Sequence, residues 1–324
     1  MRAADATVLV TPRSFASVDP APRTRLEAAV GEVRGNDLGR PMTAGELRER
    51  VGDVDALLAG LDEIDASVFA AAPRLRVIAR YGAGVDRIDL RAAAEHGVVV
   101  TNTPGANAEA VAEFALGLIL AGLRRIAAGD RTVRDGAWAV QRGRELAGST
   151  VGLLGLGRIG AATARRLVAL GARVVAFDPA VREAPQGVLL LPRDEVVAQA
   201  DVLSLHLPAL PATRDMVDAA LLARMPRGAL LVNTARGELV VEEDLVAALD
   251  AGHLAGAALD TLRDEPPAPD HPLLGRPDVI VTPHAAPHTR EAVTAMGLTA
   301  VQELLTVLED GTPRFPVPPT GDRA

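Results

Sequence analysis

Three short segments carry side chains whose chemistry is complementary: Leu231-Val-Asn-Thr-Ala-Arg236-Gly, Ala258-Leu-Asp260-Thr-Leu-Arg-Asp-Glu265-Pro and Val281-Thr-Pro-His284-Ala. An arginine such as Arg236 offers a planar fork of donors, suited to a carboxylate and an adjacent carbonyl oxygen. An imidazole such as His284 can give a proton to a developing alkoxide, or take one in the reverse direction. A carboxylate such as Glu265 can accept a hydrogen bond from that imidazole, fix its tautomer and favour its protonated form. Together the three could orient a small acid and move one proton. Each residue alone is commonplace; the set is informative because every member follows an apolar run.

Those runs are the elements that must position the chemistry. Thr7–Val10, Ala56–Ala59, Val77–Ala79, Val98–Thr101, Val151–Leu154, Val174–Phe177, Val202–Leu205, Leu230–Val232, Ala257–Leu259 and Val279–Val281 read as strands. They are continuous rather than alternating, as in parallel sheets covered on both faces. Interleaved helical patterns make the fold α/β and doubly wound, and in such sheets ligands lie beyond the carboxyl ends of the strands. Asp65 to Pro73 before one strand is echoed by Asp218 to Pro226 before another, each a capping Asp followed by a helix-stopping Pro. The echo suggests two domains of similar build. The pattern from Asn107 to Gly129 reads as one long helix, apolar nearly all round and therefore buried.

The strongest local signal is Val151-Gly-Leu-Leu-Gly155-Leu-Gly157-Arg158-Ile159-Gly160. It follows a strand and opens a helical pattern, Arg158 to Leu170, that Gly171 can stop. Gly155 permits a tight turn, Gly157 a close approach of backbone to a pyrophosphate, and Gly160 close helix–strand packing. The helix N-terminus supplies amide donors and partial positive charge to phosphates. Asp178 ends the next strand 23 residues after Gly155. A carboxylate there binds ribose hydroxyls and repels a 2′-phosphate, so NAD is expected over NADP.

Composition excludes several alternatives. A formal net charge of −8 disfavours a general nucleic-acid binder. The chain has no Cys, so disulfides, thiol nucleophiles and thiolate metal sites are absent, and no metal site is expected. It has no Lys, which removes Schiff-base chemistry and a Walker-type lysine. The N-terminus lacks a signal-peptide pattern, and Ala110 to Leu123 is too short to span a bilayer. The chain therefore reads as a soluble, cytoplasmic protein with no membrane partner. Only the Pro-rich tail from Pro313 to Ala324 looks disordered.

Over roughly Val54 to Val307 the chain resembles the D-isomer-specific 2-hydroxyacid dehydrogenases, in their phosphoglycerate dehydrogenase-like branch. Besides the glycine turn and the three segments above, the carrying motifs are Arg80-Tyr-Gly-Ala-Gly84-Val-Asp86-Arg-Ile-Asp89 and Asn102-Thr-Pro-Gly-Ala-Asn107-Ala-Glu-Ala-Val-Ala-Glu113. The resemblance implies two Rossmann- or flavodoxin-like domains. A cofactor domain, 103–289, would be inserted into a discontinuous substrate domain, 1–102 plus 290–324. It implies Arg236, Glu265 and His284 as the catalytic set acting on a small anionic 2-oxo or 2-hydroxy acid. Beyond the glycine turn and Asp178, it implies NAD contacts at Leu207, Pro208, Thr213, Thr234, Ala235 and Arg236. Asp260, His284 and Ala286 would complete them. The loop with Ala83 and Gly84 would hold the substrate carboxylate, together with Arg236. A homodimer through the NAD-binding domain is implied as well.

Departures narrow the substrate. Phosphoglycerate dehydrogenases usually place an Arg soon after the strand at Ala56–Ala59; here Gly60-Leu-Asp-Glu-Ile stands there. Phosphite dehydrogenases carry a Lys in the loop at Ala83, and formate dehydrogenases pair the histidine with Gln. Those activities, and an NAD-sensing corepressor-like role, remain the alternatives to 2-oxo acid chemistry.

Overall fold

In a computed structural model, residues 2–319 are described. The chain divides into two compact units, Met1–Asn107 with His288–Ala324, and Ala108–Pro287. The first unit runs β1 (Thr7–Val10), α1 (Ala21–Glu27), β2 (Glu32–Gly35), α2 (Ala44–Arg48), β3 (Ala56–Ala59), α3 (Ala66–Ala70), β4 (Val77–Arg80), α4 (Leu90–Glu95) and β5 (Val99–Thr101). The second begins with α5 (Ala108–Leu123), α6 (Ile126–Arg134), β6 (Thr150–Leu154), α7 (Arg158–Ala169), β7 (Arg173–Phe177) and β8 (Val188–Leu190). It continues with α8 (Arg193–Gln199), β9 (Val202–Leu205), α9 (Ala219–Arg224), β10 (Ala229–Asn233), α10 (Glu242–Asp250), β11 (Leu254–Leu259) and β12 (Val279–Val281). Helix α11 (Arg290–Leu308) belongs to the first unit.

Both sheets are parallel throughout their named strands. Their orders are β2-β1-β3-β4-β5 and β12-β11-β10-β9-β6-β7-β8. Strand order reverses between β1 and β3 in one and between β6 and β9 in the other. These are the switch points at which doubly wound sheets open a crevice. In the first unit Val8, Val10, Leu58 and Ala79 face α1 and α11, while Leu9, Leu57, Ala59 and Ile78 face α2, α3 and α4. In the second, Leu153, Val174 and Val232 pack with α5 and α7, and Leu203, Leu231 and Leu259 with α8, α9 and α10. Burial on both faces is why the strand sequences are apolar without alternation.

The Asp-capped echo is structural. Asp65 accepts from the amides of Ser67 and Val68 at the start of α3, and Asp218 from Leu221 at the start of α9. Each helix joins adjacent parallel strands just past a switch point.

Three expectations are corrected. The helix read from Asn107 to Gly129 ends at Leu123, and Arg125 turns left-handed (φ 55°) before α6 begins. Only α5 is buried as the pattern foresaw; α6 buries no residue. Strands β2 and β8 were not foreseen. They lie at sheet edges, where partial exposure removes the need for an apolar run. Nor is the Pro-rich tail irregular along its length. Pro316 bridges antiparallel to Thr101, Val317 donates to Val100 O (2.8 Å), and Phe315 donates to the buried Glu303 carboxylate (2.9 Å). An edge strand such as β5 leaves backbone groups unpaired, and the tail satisfies some of them. Residues 320–324 of that tail lie outside the described residues.

Helix α11 is long and apolar enough to cross a bilayer by composition, but 61% of its apolar window is buried. Val301, Leu304 and Leu308 are among its core residues.

Candidate active site

The glycine turn is built from steric necessity. A Cβ on Gly155 (φ +95°) would lie 2.3 Å from the His206 carbonyl oxygen, and one on Gly160 would lie 2.2 Å from Gly155 O. Side chains cannot exist at either position. Gly157, by contrast, faces open space. It is the N-cap of the twelve-residue helix α7 and brings no side chain to the first-turn amides. These are the features a pyrophosphate needs: free amide donors at a helix N-terminus and room for close approach. Arg158 and Ile159 form the first turn.

Asp178 follows β7. Its Oδ2 accepts from Leu156 N (2.7 Å) in the glycine turn, and its Oδ1 from Ala180 N (2.9 Å). Each oxygen keeps a further lone pair, so the carboxylate stands at the turn with acceptor capacity left. In the segment after β9, which holds Leu207 and Pro208, the Thr213 hydroxyl donates to Pro208 O (2.6 Å) and accepts from Leu210 N (2.8 Å). Its visible work is to shape that loop.

Sequence reasoning passed over His206. It is half-buried, with Nε2 against Ser204 Oγ (2.9 Å) and a buried Nδ1 that has no hydrogen-bond partner among the described residues. Loss of water pushes its pKa down to about 4. No local signal marked it, because its importance lies in its backbone touching Gly155.

The three polar segments converge past β10, β11 and β12. Backbone hydrogen bonds run Asp260 N to Asn233 O (2.8 Å) and His284 N to Asp260 O (2.8 Å), extending the ladder beyond the strands. Asn233 Oδ1 accepts from Ala235 N (2.9 Å) and its Nδ2 donates to Arg236 O (2.7 Å), which fixes the backbone under Arg236. The neighbouring Thr234 hydroxyl is buried without a partner among the described residues. Next, Gly237 has no room for a side chain: a Cβ would meet Leu262 C at 2.0 Å. Only glycine lets the Arg236 segment lie against the segment leading to Glu265.

Glu265 and His284 meet directly. Nδ1 of His284 is 2.9 Å from Glu265 Oε2, while Oε1 accepts from Leu262 N (3.2 Å). Both side chains are largely but not fully buried. With a proton on Nδ1 shared toward the carboxylate, Nε2 is the nitrogen left for exchange. Asp260 is buried; Thr282, Ala285 and Ala286 all donate to its carboxylate.

In the first unit, the loop after β4 is held by Gly82 N to Thr103 Oγ1 (3.0 Å) and by Asn102 Nδ2 to Ala83 O (2.7 Å). The amides of Ala83 and Gly84 have no acceptor among the described residues. After β3, Asp62 is buried and accepts from Met42 N (2.7 Å), Gly60 N (2.9 Å) and the Thr11 hydroxyl.

A doubly wound sheet with this glycine turn, and a carboxylate–imidazole pair at neighbouring strand ends, defines a dinucleotide-dependent oxidoreductase. Comparison with known proteins places it more narrowly. The profile of the D-isomer specific 2-hydroxyacid dehydrogenase NAD binding domain matches residues 116–286. A glyoxylate reductase of Korarchaeum cryptofilum is 42% identical over 267 residues, covering 79% of this chain and 80% of that protein. A D-3-phosphoglycerate dehydrogenase of Archaeoglobus fulgidus is 39% identical over 87% of this chain, which spans 55% of the relative. Among solved structures, the TT0316 protein of Thermus thermophilus superposes with a TM-score of 0.86 at 41% identity, covering 96% of this chain and 99% of that one. The chain belongs to the D-isomer specific 2-hydroxyacid dehydrogenase family. It is an oxidoreductase that interconverts 2-oxo and 2-hydroxy acids with NAD(H) or NADP(H).

Proposed function

We propose that the protein reduces a small, unphosphorylated 2-oxo acid, of the size of glyoxylate or hydroxypyruvate, to the D-2-hydroxy acid with NADH. The observation that carries this reading is the 2.9 Å contact of His284 Nδ1 with Glu265 Oε2, in the same unit as the glycine turn. The nicotinamide supplies the hydride that adds to C2 of the acid. Arg236 holds the carboxylate and polarises the carbonyl, and Nε2 of His284 delivers a proton to the oxygen. Glu265 holds the imidazole in the tautomer this requires. In the first unit, the free amides of Ala83 and Gly84 are suited to an anionic group.

Asp178 supports NAD, since a 2′-phosphate would meet its negative charge. Asp62 supports an unphosphorylated substrate, because the turn after β3 buries a carboxylate where a phosphate would need a guanidinium. We also assign a homodimer through the second unit. Trp138 and Val140, just after α6, are 89% and 95% exposed, and Ile126 and Val133 on α6 are exposed with them. Exposed apolar side chains of this kind, close in sequence on the NAD-binding unit, suit a partner copy. A cytoplasmic location fits the composition.

The test is a panel of 2-oxo acids followed by NADH absorbance, with NADPH, phosphite and formate as controls. Turnover of glyoxylate or hydroxypyruvate with NADH supports the reading. Turnover only of a phosphorylated acid, or only with NADPH, overturns that part of it.

A further inference from the structure

His284 has a backbone that ordinary side chains avoid. Its φ is +52°, in the left-handed region, where a non-glycine residue persists only if its surroundings hold it there. The surroundings are specific. Strand β12 ends in register with β11, Val281 opposite Leu259, and Thr282 N still donates to Leu259 O (2.9 Å). His284 N then donates to Asp260 O, the chain turns at His284, and the amides of Ala285 and Ala286 fold back onto the Asp260 carboxylate.

That carboxylate is 1% exposed. A buried charge must find donors, and Asp260 finds three: the Thr282 hydroxyl (2.6 Å), Ala285 N (2.8 Å) and Ala286 N (2.9 Å). Two of the three exist only if the chain turns left-handed at His284. One lies on the strand side of the histidine and two on the far side, so the carboxylate clasps the turn from both ends. Of roughly four acceptor sites on a carboxylate, three are taken by the protein.

We propose that Asp260 and Thr282 are positioning residues which hold the His284 backbone so that its imidazole meets Glu265, and that Thr282 serves proton transfer rather than cofactor binding. Nothing in the family resemblance singles out Thr282. Its hydroxyl is one of the three donors that meet this buried carboxylate. Without it the carboxylate keeps only the two amides, and the ring loses part of what fixes its approach. The inference rests on the proposed role of His284.

The experiment compares Thr282→Val, which keeps the shape and removes the donor, with Thr282→Ser, which keeps the hydroxyl, and with His284→Ala. Thermal melting of each variant checks the fold, and Thr282→Ala replaces the Val variant if that fails to fold. Thr282→Val should lower kcat by roughly ten-fold, as a small misplacement of a reacting group does. It should also displace the limb of the pH–rate profile that reports the proton donor, while NADH affinity measured by fluorescence titration stays unchanged. Thr282→Ser should restore both rate and profile. A folded Thr282→Val enzyme with wild-type kcat and pH profile, or one whose whole defect is weaker NADH binding, overturns the inference. If His284→Ala itself keeps full activity, the reading of the site is what has failed; if that variant is inactive while Thr282→Val is normal, only the positioning role is lost.

Discussion

At the scale of single residues, the site makes separable predictions. His284→Ala should lower kcat by about 10² to 10⁴, the usual contribution of a positioned acid, with the substrate KM less affected; a steady-state comparison on the best 2-oxo acid reads it. Asp178→Ser should cost roughly ten-fold in kcat/KM with NADH by removing a charged acceptor, and should raise the same parameter with NADPH. His206 makes a stability prediction. Its folded pKa, about 4, lies below its ordinary value of 6.5. Between those values the unfolded chain binds the proton more readily, so the group's contribution to stability is present above pH 6.5 and is lost as pH falls toward 4. The loss is at most about 3 to 4 kcal/mol, since one pKa unit corresponds to about 1.4 kcal/mol. Replacing His206 with Gln should flatten the acid side of a plot of melting temperature against pH; an unchanged slope would show that this ring does not report on unfolding.

At the scale of elements, Gly237 is the joint between two loops. Gly237→Ala would drive a methyl group into the backbone of Leu262 and Arg263. It should destabilise the protein by roughly 1–3 kcal/mol or more, as overpacking does, and lower kcat by shifting the chain that carries Glu265. Urea titration and kinetics on one preparation check both. This joint was invisible in the sequence, where Arg236-Gly reads as any strand-ending turn. The central strands were legible because burial on two faces writes itself as Val, Leu and Ala. Edge strands β2 and β8 carry no such pressure, and Glu32-Val-Arg-Gly35 resembles a loop. The helix break at Arg125 was likewise unmarked, for neither Gly nor Pro stands there. In the site, Arg236, Glu265 and His284 could be picked out because their chemistry is distinctive. Asn233, Thr282 and His206 could not, because what they do depends on neighbours brought close by the sheet.

At the scale of the whole molecule, the exposed apolar side chains on and just after α6, Trp138 and Val140 above all, sit unfavourably in water. If they form the dimer contact, Trp138→Glu should shift the protein toward monomer in analytical ultracentrifugation while the melt of each unit stays near normal. A monomeric wild type would remove that assignment. The first unit has another peculiarity, for its sheet is covered on one side by α11, encoded almost two hundred residues after β5. On the ribosome, Val8, Leu58 and Ala79 must therefore wait, covered at most by α1, until Arg290–Leu308 has been synthesised. Ala108–Pro287, whose own strands and helices are contiguous, is complete earlier. The usual N-to-C sequence of domain maturation during translation is thus inverted here, and the early part of the nascent chain is the one with most need of a chaperone.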